Sequence, residues 1–203
     1  MLEQELKLTA PDEDTLDAVL AAELITSACT DETLMPPRRF LAVYYDTESG
    51  VLERARCALR VRWEGEGFRA AFKLPGNIVE GLSQREEYEA DIDSWISRAG
   101  ELPEGLLREK VAEHIRLDQP LQERVRVDMQ RTIRWLRYQQ AVIELVVDQG
   151  TITGLNGETE LYEVELELKQ GPLQAIIELG EQLVSAFELI PSTRTKYEIG
   201  LSL

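Results

Sequence analysis

The sequence predicts an α+β protein: a closed antiparallel β-barrel with a charged interior and amphipathic helices packed on its outside. Three observations predict it. Most of the chain alternates with period two, while only three stretches repeat at helical spacing. The alternating stretches are joined by short turns rich in Gly and Asn, which suit hairpins rather than βαβ crossovers. Charged residues gather on one face of several of these stretches, acids on some and arginines on others. A half-solvated sheet would explain the pattern in any one strand. Segregation of acids and arginines across several strands calls instead for a lumen that brings the two sets face to face, with the apolar faces turned outward under the helices.

The elements follow in order. In Glu3-Gln4-Glu5-Leu6-Lys7-Leu8 a charge occupies each odd position and Leu6 and Leu8 face the other way. Leu16, Val19, Leu20 and Leu24, after Pro11 and the acidic run 12–14, predict one helix over about 11–25. Strands are expected over 40–46, 59–63, 68–74, 85–91, 125–136, 142–148 and 161–169. Turns are expected at 64–67, 75–77, 148–150 and Asn156-Gly157. Leu106, Leu107, Lys110, Val111, His114 and Ile115 predict a second helix before Pro120, and Leu173, Ile176, Ile177, Leu183, Val184 and Phe187 a third after Gly171-Pro172.

Composition sets the outer limits. The 203 residues are read as a single domain, 1–203, and 43% hydrophobic with 30% charged residues is enough apolar surface for a core. Lys and Arg total 22 against 38 Asp and Glu, a net charge of −16, so neither nucleic acid nor an anionic membrane is an expected partner. An anionic ligand must therefore meet a locally basic pocket. Glu3 and Glu5 stand where a secretory signal needs basic and then apolar residues, and no stretch approaches the ~20 apolar residues of a membrane span, so a cytoplasmic location is expected. Cys29, Cys57 and the one His lack zinc-site spacing; a reducing compartment fits, and a single disulfide stays open.

The charged faces supply the candidate chemistry. Glu163, Glu165 and Glu167 alternate with Val164, Leu166 and Leu168, as Arg60 and Arg62 do with Leu59 and Val61. Lys73 shares a face with Arg69 and Ala71. Crowded carboxylates repel, so Glu3, Glu5, Glu163 and Glu165 gathered in one lumen would invite a hard divalent cation. Asp148 is luminal by parity with Glu144 and equally readable as a turn residue before Gln149-Gly150.

These residues also carry a resemblance. Glu3-Gln4-Glu5-Leu6-Lys7 resembles the ExExK signature of the CYTH domains, also called triphosphate tunnel metalloenzymes. The likeness continues through Tyr44-Tyr45-Asp46-Thr47, Leu59-Arg60-Val61-Arg62, Phe72-Lys73, Gln84-Arg85-Glu86-Glu87-Tyr88, the 144–150 stretch, residues 162–168 and the late Lys196. It is nearest to bacterial inorganic triphosphatases that carry a CYTH module ahead of a helical, phosphate-associated CHAD domain. The resemblance implies an eight-stranded tunnel in which Mg²⁺ or Mn²⁺ and basic side chains hold inorganic triphosphate while water attacks it. Carried over to this chain, Glu3, Glu5, Glu163, Glu165 and Glu144 would be metal ligands. Lys7, Arg60, Arg62, Lys73, Arg131 and Lys196 would bind substrate, and Glu5, Lys7, Lys196 and Glu87 would act in catalysis. Arg131 competes with Arg124, Arg126, Arg134 and Arg137, because a one-residue slip of that strand reverses its faces.

The same fold family includes thiamine-triphosphatases, nucleoside triphosphatases and class IV adenylate cyclases. A polyphosphate-binding module without turnover is the competing non-enzyme reading, and a monomer or homodimer is expected. Tyr44, Trp63 and Phe72 are the aromatic candidates for a slot that an organic substrate would need. The remaining features read as structural. His114 has no nucleophile motif beside it. Trp63, Trp95 and Trp135 fit core or rim packing, and Gly65-Glu66-Gly67 is no phosphate loop. In the acidic run Glu86, Glu87, Glu89, Asp91 and Asp93, only the face of Glu87 is available to a tunnel.

Overall fold

The protein is described by a computed structural model over residues 2–30 and 35–203. In chain order the elements are β1 (Leu2–Thr9), α1 (Glu13–Ala21), α2 (Glu23–Thr26), β2 (Arg38–Asp46), α3 (Val51–Arg54), β3 (Ala58–Trp63), β4 (Phe68–Lys73), β5 (Asn77–Val79) and β6 (Leu82–Ile92). They continue with α4 (Leu106–Ala112), β7 (Gln122–Tyr138), β8 (Ala141–Thr153), β9 (Glu158–Gln170), α5 (Gln174–Ala186), β10 (Ile190–Pro191) and α6 (Lys196–Leu201).

All strand pairings among the described residues are antiparallel, in the order β1-β9-β8-β7-β2-β3-β4-β6. Pairing of Leu2 to Leu6 with Glu86 to Leu82 brings β6 back to β1 and closes eight strands into a barrel. Two short strands, β5 and β10, add to its rim.

The apolar strand faces do turn outward. On one side Leu6, Leu8, Leu145, Val147, Val164 and Leu166 pack under α1 and α5 with Leu16, Val19, Ile176 and Leu183. On the other, Val43, Leu59, Val61, Ala70 and Phe72 pack under α3 and α4 with Leu52, Leu107 and Val111. Val61 is fully buried outside the lumen. Val61→Ala is therefore expected to cost about 1–3 kcal/mol of stability by urea denaturation, as deleted core methyls do, and to leave catalytic constants unchanged.

Three sequence expectations need correction. The helix expected over 11–25 is two helices, because Ala22 is extended (ψ 138°) and ends the first. The break turns the chain so that Ile25 enters the core and Cys29 bridges Leu136. The turn expected at 148–150 is continuous strand, with Asp148 opposite both Arg131 and Glu163. Gly150 serves close approach there: a Cβ on it would lie 2.0 Å from the Asp128 carbonyl oxygen. His114 lies just past α4 rather than within it. It packs edge-on against Phe72, with Nε2 3.9 Å from the Cys57 Sγ. Burial pushes the Cys57 thiol up to about 11, so this pair is no thiolate nucleophile.

Candidate active site

The barrel interior is divided. One part is filled by Phe40, Ala42, Tyr44, Val125, Val127, Met129, Ile152 and Leu161, closed by Tyr197 of α6. α6 begins with a capping box between Thr195 and Glu198, which fixes its first turn. Gly200 lets it dock, since a Cβ there would lie 2.2 Å from a methyl of Val125. This seating places Lys196, the first helical residue, inside the barrel at 7% exposure.

The remaining interior is a chamber of about 220 Å³. Lys7, Arg60, Arg62, Arg69, Lys73, Arg85, Arg131, Lys169 and Lys196 line it with Glu3, Glu5, Glu87, Glu89, Glu144, Glu165 and Glu167. Cations therefore outnumber acids here in a chain whose net charge is −16. An anion that the surface repels is attracted once inside.

The charges interlock. Glu3 accepts hydrogen bonds from Lys73 (2.9 Å) and Arg85 (2.9 Å), and Glu87 accepts one from Lys73 (2.7 Å). Glu5 lies 2.9 Å from Arg85 and 3.1 Å from Lys7. Lys7 also donates to Glu165. Arg131 forms a two-pronged pair with the fully buried Asp148 at 2.7 and 2.6 Å. Lys196 lies 2.9 Å from Glu165 and 3.0 Å from Asp148, and it donates to Glu163. At the strand ends, Lys169 bridges Glu144 (2.8 Å) and Glu167 (2.7 Å).

Asp148, Glu163 and Glu165 are the described carboxylates whose ligand atoms all lie within 4.8 Å of one another. The expected quartet of Glu3, Glu5, Glu163 and Glu165 is therefore not one cluster: Glu163 and Glu165 gather with Asp148, while Glu3 and Glu5 stand apart from them, paired with Lys73, Arg85 and Lys7. Glu163 lies behind Lys196 and is not among the residues lining the chamber. Glu3, Glu5, Glu144 and Glu165 do line it, as do the six expected substrate residues and Glu87. The register that the sequence leaves open places Arg131 inward. Arg124 and Arg126 pair elsewhere, with Glu53 and Glu123.

Arg69, Arg85, Glu89, Glu167 and Lys169 line the chamber beyond the expected set. Arg85 was findable, since it shares parity with Glu87 on β6. Lys169 was findable as well, since it shares parity with Glu165 and Glu167 on β9; a bulge between the Val142–Gln170 and Ile143–Leu168 pairs lies at that position.

Burial pushes the Glu163 carboxyl up to about 7, with Lys196 opposing and Glu165 reinforcing the rise. Burial works against ionisation of Glu165 too, but Lys196 and Lys7 outweigh it and hold that carboxyl well below its ordinary range. Burial also carries Glu167 up to about 7, against Lys169 and with help from Glu144. In the unfolded chain these carboxyls lose their protons near 4.3. A raised folded value then gives stability that is present below that pH and lost as pH rises through about 7. The melting temperature of the metal-free protein in EDTA is expected to fall between pH 5 and 8, and Glu163→Gln should flatten the slope. A flat profile for the wild type would contradict the buried, protonated carboxyls.

The CYTH domain family matches residues 1–198. The chain belongs to the CYTH family. This CYTH chain is 29% identical over 160 residues to an inorganic triphosphatase of Haemophilus influenzae, covering 79% of this chain and 44% of that protein. It thus spans less than half the length of that relative. Its fold is similar to that of a putative adenylyl cyclase from Hippeastrum with a dominant triphosphatase activity: TM-score 0.74 and 19% identity over 98% of this chain and 95% of that one. It is also similar to a putative adenylate cyclase from Bacillus halodurans: TM-score 0.60 and 17% identity over 96% and 95%. No helix among the described residues of this CYTH chain is long and apolar enough to cross a membrane.

Proposed function

We propose that this protein is a metal-dependent inorganic triphosphatase that hydrolyses tripolyphosphate to pyrophosphate and phosphate in the CYTH chamber. The observation that carries the reading is the group Arg60 and Arg62 on β3 with Arg131 on β7, the two strands that flank β2. Burial, with Arg60 and Arg131 close by, pushes the Arg62 guanidinium down from its ordinary value. A guanidinium stays charged at neutral pH, so this strain is relieved by an anion rather than by losing a proton. The nearest acids to Arg60 are 3.7 and 3.8 Å away, and its buried Nε has no hydrogen-bond partner. A chain of phosphates supplies the missing acceptors.

The aromatic residues favour an inorganic substrate. Tyr44 lines the chamber but stacks on Tyr197 with ring centroids 5.2 Å apart. Phe72 lies outside the barrel wall, and Trp63 is not among the lining residues. None of the three offers a free slot for a base or a thiamine group.

The acidic donors are all carboxylate oxygens, hard ligands that suit Mg²⁺ or Mn²⁺. Glu165, with Glu163 and Asp148 clustered against it, would hold one ion, and Glu3, Glu5 and Glu144, which line the chamber apart from that cluster, would serve a second ion or its water. When bound, the cation supplies charge neutralisation at the phosphoryl oxygens and a more acidic water. Arg60, Arg62, Lys73 and Arg131 would fix the phosphate chain in both ground and transition states. Lys7 and Lys196 would face the oxygens on which charge develops, while Glu5 and Glu87 orient the attacking water.

Phosphate release from tripolyphosphate, ATP and thiamine triphosphate, with Mg²⁺, Mn²⁺, Ca²⁺ or excess EDTA, tests the reading. Turnover of tripolyphosphate above the organic substrates is expected with Mg²⁺ or Mn²⁺, little with Ca²⁺ and none in EDTA. Undiminished release in EDTA would rule out a metal-dependent reaction. Tight binding of tripolyphosphate without turnover in any metal would leave a binding module.

A further inference from the structure

We propose that Phe40 is a positioning residue for the chamber's anion cradle: its ring holds the guanidiniums of Arg62 and Arg131 in their binding positions. Phe40 is 4% exposed and is not among the residues lining the chamber, so it acts through its neighbours rather than on a ligand. The Arg62 Cζ lies 5.3 Å from the ring centroid, that of Arg131 5.5 Å, and that of Arg38 6.0 Å. Three cations on one ring is a local concentration, since such contacts occur roughly once per 70–80 residues.

Sheet register produces the arrangement. β2 lies between β3 and β7, with Ala42 opposite Arg62 and Arg38 opposite Arg131. Phe40 is thus the diagonal neighbour of both arginines, within reach of long side chains. Ala42, with only a methyl group, leaves Arg62 room to lean toward the ring. The two guanidiniums repel each other, and the negative face of a desolvated ring attracts both. Glu64 and Asp148 tether the outer edges of Arg62 and Arg131 at 2.5–2.9 Å, while the ring supports them from between. A cradle held this way is organised before the substrate arrives, which lowers the cost of binding.

This inference rests on the chamber binding a polyphosphate. The test replaces Phe40 with 4-fluoro- and 3,4,5-trifluorophenylalanine, which weaken the ring's negative face at nearly constant shape, and compares Phe40→Leu. KM for tripolyphosphate at saturating Mg²⁺, Kd by calorimetry, kcat and melting temperature are measured for each, with Arg60→Ala alongside. KM and Kd are expected to rise stepwise with fluorination, reaching about tenfold in Phe40→Leu, while kcat changes by less than about twofold and the fluorinated proteins melt as the wild type does. Flat Kd and KM across the fluorinated series, while Arg60→Ala weakens binding, would overturn the role of Phe40 and leave the triphosphatase reading standing. A wild-type protein that binds no tripolyphosphate would overturn both.

Discussion

Glu165→Gln is expected to lower kcat for tripolyphosphate by about a hundredfold or more, a loss of at least ~2.7 kcal/mol of transition-state stabilisation. The substitution keeps the shape of a side chain that Lys7 and Lys196 both contact and that lies 3.7 Å from Arg131, but it removes the charge those cations share. It also removes one of the three clustered carboxylates. Raised Mn²⁺ should restore part of the rate, because a weakened cation site fills at higher concentration. Arg60→Ala should behave differently. KM is expected to rise about tenfold, ~1.4 kcal/mol, with no rescue by metal, since that guanidinium would grip substrate in ground and transition states alike. Steady-state kinetics across a Mn²⁺ titration separate the two. Equal kcat for Glu165→Gln and wild type would remove Glu165 from the proposed site.

The second large effect is on stability. Arg131→Met is expected to destabilise the protein by about 3–5 kcal/mol in urea denaturation, because it leaves the fully buried Asp148 without its two-pronged partner. Lys196, 3.0 Å from the same carboxylate, is already shared with Glu163 and Glu165 and cannot replace it. Adding Asp148→Asn should recover much of the loss by removing the uncompensated charge. A loss below ~1 kcal/mol for Arg131→Met would mean that Asp148 is protonated in the fold, against its lowered pKa, which burial opposes and Arg131 and Lys196 impose.

The sequence by itself determined the strand faces. Side-chain direction along a strand has period two, so Glu3, Glu5 and Lys7 could be placed on one face and Leu6 and Leu8 on the other without knowing any partner. The same rule turned Arg60 and Arg62 away from Val61, and it puts Arg85 on the face of Glu87. Hydrophobic periodicity likewise fixed α4 and α5 to within a few residues. Only the tertiary structure decided which charges meet. Glu163 and Lys196 are 33 residues apart in sequence, and Lys7 and Glu165 are 158 apart; their contacts depend on how β1 pairs with β9 and on where α6 docks. Tertiary pairing also chose the inward face of β7, whose register a slip of one residue would have reversed, and carried β8 through Asp148 where local turn chemistry suggested a stop. Phe40 illustrates the same limit: its place between Arg62 and Arg131 comes from β2 lying between β3 and β7. Parity is a property of one strand, whereas a charge pair needs two, and the alignment of strands far apart in the chain is set by barrel closure and packing rather than by local sequence.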